Sequence, residues 1–208
     1  NTATTDLWDA IEEATGEPVR RIMDSWILQG GHPEIAVELT PTVDGAEITL
    51  AQRRFRYLGA DLDAGADAAL WSVPVLVRWA PPTEPGGGAG TEPRTERVLL
   101  EGDRTTLELD APPVWVLANS GGSGFFRVHH VGDGLAAAAS APDLTALERY
   151  GLLDDSWAAL LAGTVEVDRV VDLLRRHGDE TDLSVWQRVL GILGSLDRLV
   201  DDADRPAL

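Results

Sequence analysis

Four histidines, His32, His129, His130 and His177, are the side chains here best suited to hold a metal or move a proton. Imidazole titrates near neutral pH and is a common zinc ligand, so spacing decides what these residues can do. No two of them stand four apart with a Glu between. The H-E-x-x-H pattern, which sets two ligands and a general base on one helix face, is therefore absent. His129 and His130 are neighbours in a run that reads as a strand. Adjacent strand side chains point to opposite faces, so this pair cannot grip one ion together. Both read as strand residues without a ligand role.

The remaining chemistry-bearing stretches fail on geometry too. Ser120-Gly121-Gly122-Ser123-Gly124 has no G-x-S-x-G frame, because the residue two after Ser123 is Phe125. A strand follows it, whereas a nucleophile elbow turns from strand into helix. Gly86-Gly87-Gly88 lacks the lysine and the helix of a phosphate loop and reads as a flexible tip. Asp154-Asp155, Asp179-Glu180-Thr181-Asp182 and Asp201-Asp202 lack calcium-loop spacing. Most are expected where helices begin or end, as caps and surface charge. The expectation is no catalytic, no cofactor-binding and no metal-binding residue in this chain.

Composition narrows the functions further. The chain has 17 basic residues, all Arg, against 35 acidic ones, for a net charge of −18. That surface repels nucleic acid and anionic lipid, so neither is expected as a partner. Without Lys, a P-loop lysine or a Schiff base is impossible. Without Cys, disulfides, thiolate catalysis and Cys-ligated zinc are excluded. No apolar run approaches the roughly 18 residues that span a bilayer. The polar start, Asn1 to Asp6, lacks a signal pattern, which in a fragment says nothing about the parent protein. A cytoplasmic location is the expectation.

The elements follow from periodicity. Leu7, Ile11 and Ala14 mark a first helix, capped by Thr5 or Asp6 and ended by Gly16. Val19, Ile22, Met23, Trp26 and Ile27 share one face of a second. From His32 the period changes to two. Asp44-Gly45 signals a tight two-residue hairpin. Trp71, Val73, Val75, Val77 and Trp79 form the cleanest strand, with Pro74 on its opposite face arguing for an edge or a bulge. Further runs to Val131 bring the total to about seven strands, an antiparallel β-sandwich. After Gly134 the pattern is helical. Asp143 is the expected cap of one helix; Trp157 to Leu161 mark another, Val167 to Leu174 a third, and Asp182 caps a last. The fold class is mixed β and α in separate domains.

The order of motifs resembles the aminopeptidase N-type zinc peptidases. Asp6-Leu7-Trp8, Gly16-Glu17-Pro18-Val19, Ile22-Met23-Asp24-Ser25-Trp26 and Gln29-Gly30-Gly31-His32-Pro33 are similar to the closing helices of that family's catalytic domain. Leu50-Ala51-Gln52-Arg53-Arg54-Phe55, Trp71-Ser72-Val73-Pro74-Val75, and Asn119 with Gly124-Phe125-Phe126-Arg127-Val128 follow in the family's order. Gly178-Asp179-Glu180-Thr181-Asp182 before Val185-Trp186 is similar to its C-terminal helical domain. The Ser120–Ser123 turn and His129-His130 depart from the pattern.

The resemblance implies a division: residues 1–31 as the last two helices of the catalytic domain, 32–133 as a sandwich spacer, and 134–208 as the start of the helical domain. It implies a parent enzyme that removes N-terminal residues from peptides, with zinc held by two His and a Glu. It also implies a Glu for the substrate amine and a Tyr for the oxyanion. All these positions lie upstream of the equivalent of Asn1, so none is carried onto this chain. Its implied partners are the upstream catalytic domain of the same polypeptide and the peptide substrate. Two alternatives stand beside this: a free-standing sandwich that binds peptide or carbohydrate on exposed tryptophans, and a scaffold that offers an acidic helical face to a basic partner. A part cut from a larger protein should expose apolar faces on its first two helices and its last.

Overall fold

The computed structural model describes residues 4–58, 68–82 and 92–201. The Gly86–Gly88 run and Asp202 lie outside the described residues. Two helices come first, α1 (Thr4–Thr15) and α2 (Val19–Ile27). Seven strands follow among the described residues: β1 (Pro33–Pro41), β2 (Ala46–Arg54), β3 (Val73–Ala80), β4 (Arg94–Leu100), β5 (Arg104–Leu109), β6 (Trp115–Ala118) and β7 (Arg127–His130). A short 3-10 turn, Ser120–Gly122, separates the last two strands. Helices α3 (Gly134–Ala138), α4 (Ala146–Leu161), α5 (Val167–Arg175) and α6 (Leu183–Leu199) complete the chain.

The strands form a four-stranded sheet, β5-β2-β1-β7, and a three-stranded sheet, β4-β3-β6. Period-two alternation aims one face of each sheet at a shared core. Ile35, Val37, Ile48 and Leu50 from the first meet Val73, Val75, Val77 and Leu100 from the second. Burying each side chain of this kind contributes about 1.5–3 kcal/mol. A second core draws on Leu153 of α4, Val170 and Leu173 of α5, and Val185, Val189 and Ile192 of α6.

Several sequence expectations are corrected. The pairing is not wholly antiparallel, because β7 lies parallel to β1, Glu34 opposite Arg127 and Val37 opposite His130. The chain crosses to the other sheet between them, and only such a crossover lets strands run parallel. The Asp44-Gly45 hairpin closes over four residues, 42–45, with Thr42 N–H donating to the Gly45 carbonyl at 3.0 Å. A Cβ on Gly45 would fall on the Leu109 carbonyl oxygen, so close approach requires that glycine. β3 is central rather than an edge strand. Its partner β6 pairs only with Val77–Ala80, however, so Pro74 stands beyond that partner's reach.

The helical half also differs in detail. The two helices expected around Leu147 and Trp157 are one, α4, which runs through Gly151. Buried Leu152, Leu153, Ala158 and Ala159 outweigh the roughly 1 kcal/mol that a mid-helix glycine costs. Its cap is Thr145, not Asp143. Thr145 Oγ1 accepts the Glu148 N–H at 3.2 Å, and Glu148 Oε2 accepts the Thr145 N–H at 2.8 Å. This is a capping box. At the other end Gly163, with φ of 71°, lets its own N–H reach Leu160 O and the Thr164 N–H reach Ala159 O. Asp182 caps α6 as expected, accepting the Ser184 and Val185 N–H groups.

Candidate functional site

The four histidines do not converge. His32 is stacked on Phe55 with ring centroids 5.3 Å apart and also meets Phe125. Burial, then the Arg127 charge, holds its pKa below the ordinary value. His129 and His130 lie on opposite faces of β7, half-buried and buried respectively. Burial lowers His129, and complete burial pushes His130 down to about 4, so that imidazole is neutral at physiological pH. His177 Nδ1 lies 2.9 Å from the Leu173 carbonyl oxygen, which only accepts, so that nitrogen carries the proton and donates. Among the described residues no group of three or more His, Asp or Glu side chains is placed to hold a metal ion. With one imidazole stacked, one donating to backbone, and two on opposite faces, this donor set does not fit a zinc site.

Three of the tryptophans proposed as a binding platform are buried, whereas Trp26, Trp157 and Trp186 are half-buried against the cores. Trp71, Trp79 and Trp115 are 1 %, 7 % and 4 % exposed, so they offer no platform to a sugar or a peptide. No helix among the described residues is long and apolar enough to cross a membrane.

Two charged hubs join sheet to helix. The first centres on Glu148, buried at the start of α4. Its carboxylate accepts the Thr145 N–H, the Gly121 N–H at 3.0 Å, the Ser120 hydroxyl, and Arg78 Nη2 at 3.1 Å. Burial alone would raise its pKa, but the Thr145 and Gly121 N–H groups and the Arg78 charge hold it below the usual range. Arg78 rises from β3, lies over the Trp115 ring, and pairs with Asp143 through Nη1. Asp143, the expected helix cap, thus serves a strand instead.

The second hub centres on Asp154 and Asp155. They sit inside α4, not at a helix end, which corrects the capping assignment. Arg127 of β7 donates through Nη1 to Asp154 and, at 3.1 Å, to Asp155. Asp155 Oδ2 accepts the Val128 N–H at 3.1 Å, and Arg188 of α6 pairs with Asp154 at 2.8 Å. Burial pushes Asp155 up from 3.8 to about 7, and Asp154 adds to it, although the Arg127 charge opposes the shift. Within the helical part Glu180 takes Arg149 bidentately at 2.6 and 2.9 Å and also accepts the Thr181 and Asp182 N–H groups. Chemically these arrangements fix position. The carboxylates are taken up by guanidinium and amide donors, joined at Glu148 by the Ser120 and Thr145 hydroxyls.

The motif residues singled out in the sequence meet at a third place. Trp26 Nε1 donates to the Ser72 carbonyl at 3.1 Å, the Ser72 N–H donates to Ser25 Oγ, and Gln29 Nε2 donates to Leu70 O. Gln52 bonds both backbone groups of Trp71. Asn119, at φ of 59°, clamps the glycine turn by accepting the Gly124 N–H at 2.7 Å and donating to Gly124 O at 3.1 Å. The hub residues Arg78, Thr145 and Glu148 were not singled out in the sequence. The T-x-x-E spacing of the last two was the signal available.

Comparison with known proteins gives these positions a context. Residues 115–208 match a family model described as the ERAP1-like C-terminal domain. Aminopeptidase M1-A of Oryza sativa subsp. japonica is 30 % identical over 200 residues, which is 91 % of this chain and 21 % of that protein. The puromycin-sensitive aminopeptidase of Caenorhabditis elegans is 31 % identical over 194 residues, 89 % of this chain and 19 % of that protein. Aminopeptidase M1 of Arabidopsis thaliana is 27 % identical over 223 residues, 99 % of this chain and 23 % of that protein. The chain therefore spans about a fifth of the length of the curated relatives it matches.

Proposed function

We propose that this chain, similar along nearly its whole length to aminopeptidase N-type proteins, is the non-catalytic C-terminal part of a zinc-dependent aminopeptidase that removes N-terminal amino acids from peptides. One observation carries the reading: about nine-tenths or more of the chain aligns with enzymes of which it spans only about a fifth. The chemistry then belongs to polypeptide outside these residues. The zinc, its ligands and the general base are assigned to an upstream catalytic domain of the same polypeptide, and no step is routed through this chain's own histidines.

Within this reading residues 1–31 close the catalytic domain, 32–133 are a β-sandwich spacer of about seven strands, and 134–208 begin the C-terminal helical domain. The two sheets sharing one core support the spacer, and the separate core of α4, α5 and α6 supports the helical unit. The uncovered apolar side chains of α1 and α2, Leu7, Ile11 and Ile27, with Leu28 at the α2 C-cap, support the first assignment. The role is to space and cap the chamber that receives the peptide. The Arg78 and Arg127 hubs suit that role, because they tie the helices to the sheets at fixed positions. The proposed partners are the catalytic domain and the peptide, with no nucleic acid and no membrane. The proposed compartment is the cytoplasm, with which the absence of Cys accords.

The test compares the complete polypeptide with residues 1–208 expressed alone. The complete polypeptide should hydrolyse aminoacyl amides and lose that activity to a chelator. Residues 1–208 should show neither that activity nor stoichiometric zinc. Chelator-sensitive activity from the short chain would overturn the proposal.

A further inference from the structure

A cleft of about 390 Å³, lined by residues of β1, β6, β7 and α3, lies where the edge strands of the two sheets meet the helix. That size falls within the range of small-molecule sites. Its walls are mostly aliphatic: Val37 and Leu39 of β1, Val114 and Val116 at β6, Val131 after β7, and Ala137 of α3. Ala138, the next residue of α3, packs in one cluster with Trp115 and Leu117, which holds the helix against β6.

One polar side chain is set into these walls. Val128 belongs to the sandwich core, and His130, two residues on, shares its face of β7 and stands opposite Val37 of β1. His130 is 8 % exposed and lines the cleft. Among the described residues its Nε2 is buried and has no hydrogen-bond partner. A buried polar atom of that kind is costly unless a partner reaches it.

The chemistry of that partner follows from the ring and the walls. The imidazole is neutral at physiological pH because it is buried, so one of its nitrogens donates and the other accepts. A hydroxyl can do either and therefore suits Nε2 in both tautomers. The charged side chains that line the cleft, Glu38 and Asp133, are both acidic, and Asp133 already holds Arg169. An anion is thereby disfavoured. We propose that this cleft binds a small neutral molecule with an apolar body and a hydroxyl, the body against Val37, Leu39, Val114 and Val116 and the hydroxyl on His130 Nε2. The site goes beyond the peptidase reading and does not depend on it.

Equilibrium dialysis of the complete polypeptide against naphthol, naphthalene and naphthoate tests this, since the three share one ring system. Naphthol should bind at one equivalent and at least about tenfold more tightly than naphthalene, because only its hydroxyl can satisfy the imidazole. Naphthoate should bind no better than naphthalene. His130→Phe keeps a ring in the wall and should abolish the preference for naphthol. Ala137→Trp should fill the cleft and remove the binding of both. A preference that survives His130→Phe would overturn the proposal, as would naphthol binding that Ala137→Trp leaves unchanged. Tighter binding of naphthoate would overturn the assignment of a neutral ligand. No uptake of naphthol up to its solubility would overturn the site altogether and leave Nε2 to a water. Melting temperatures are read for both variants, and if one of them melts early the other decides.

Discussion

The Gln52 carboxamide and the Trp71 peptide exchange two hydrogen bonds. Gln52 Nε2 donates to the Trp71 carbonyl at 2.7 Å, and the Trp71 N–H donates to Gln52 Oε1 at 2.9 Å. The same Nε2 donates to Gly102 O at 2.6 Å, and the Gln52 N–H donates to Asp103 O at 2.8 Å. One buried side chain thereby ties β2 to the entry of β3 and to the turn between β4 and β5. The segment it holds, Leu70 to Ser72, is also the one on which α2 docks through Trp26 and Gln29.

Gln52→Leu should therefore be costly despite its similar size. It strands one buried N–H and a buried carbonyl, each worth about 1–3 kcal/mol when left unpaired, so a loss of about 2–6 kcal/mol is expected. Urea unfolding of the variant should show a lower midpoint with an unchanged slope. A midpoint equal to that of the parent would mean the node contributes nothing.

Asp155 gives stability a pH dependence of unusual sign. Its carboxyl is pushed up to about 7 in the folded chain against an ordinary 3.8. Between those values the folded state binds the proton more tightly, so stability rises as pH falls from about 8 toward about 5. Asp155→Asn keeps an acceptor for the Val128 N–H but cannot titrate. The gap in unfolding free energy between parent and variant should move in the parent's favour across that window, and a constant gap would refute the assignment.

Glu180 acts in the opposite direction at lower pH. Its Arg149 partner, with the Asp182 and Thr181 N–H groups, lowers it from 4.5 to about 2 against the opposing effect of burial. The stability it contributes is complete above about 4.5 and is lost as pH falls through about 2. Arg149→Met should consequently move the acid-unfolding midpoint to higher pH. Far-UV circular dichroism along an acid titration would show it, and coincident midpoints would exclude the pair as a source of acid resistance.

What was legible in the sequence was what neighbours decide. Val73, Val75 and Val77 announce a half-buried strand by alternation alone, and Asp182 announces a helix start. The features that went unread depend on distant partners. Asp154 and Asp155 resemble a capping pair until Arg127 arrives from β7, 27 and 28 residues away in sequence. Asp143 precedes the true cap by two residues and is drawn off by Arg78, 65 residues away. The parallel pairing of β7 on β1 likewise depends on a crossover that no local pattern records. The outward setting of Phe125 was hidden for a different reason. Phe125 and Phe126 are identical in type, and only the clamp on Gly124 decides which one faces out.

Glycines separate positions where the backbone needs room from positions where it does not. Gly191 and Gly194 lie within α6, and a Cβ on either meets nothing within 4 Å. Glycine costs a helix interior about 1 kcal/mol relative to alanine, so Gly191→Ala and Gly194→Ala should each raise stability by about that amount. Gly45 is the converse case. Its added methyl would fall on the backbone of Leu109, which is fixed by the pairing of β5 with β2, so neither side can yield without breaking the ladder. Gly45→Ala should cost about 2 kcal/mol or more. Chemical unfolding of the three variants tests the contrast directly. Equal and small effects would mean that the hairpin tip relaxes freely, and that the register of β1, β2 and β5 is not set where these contacts place it.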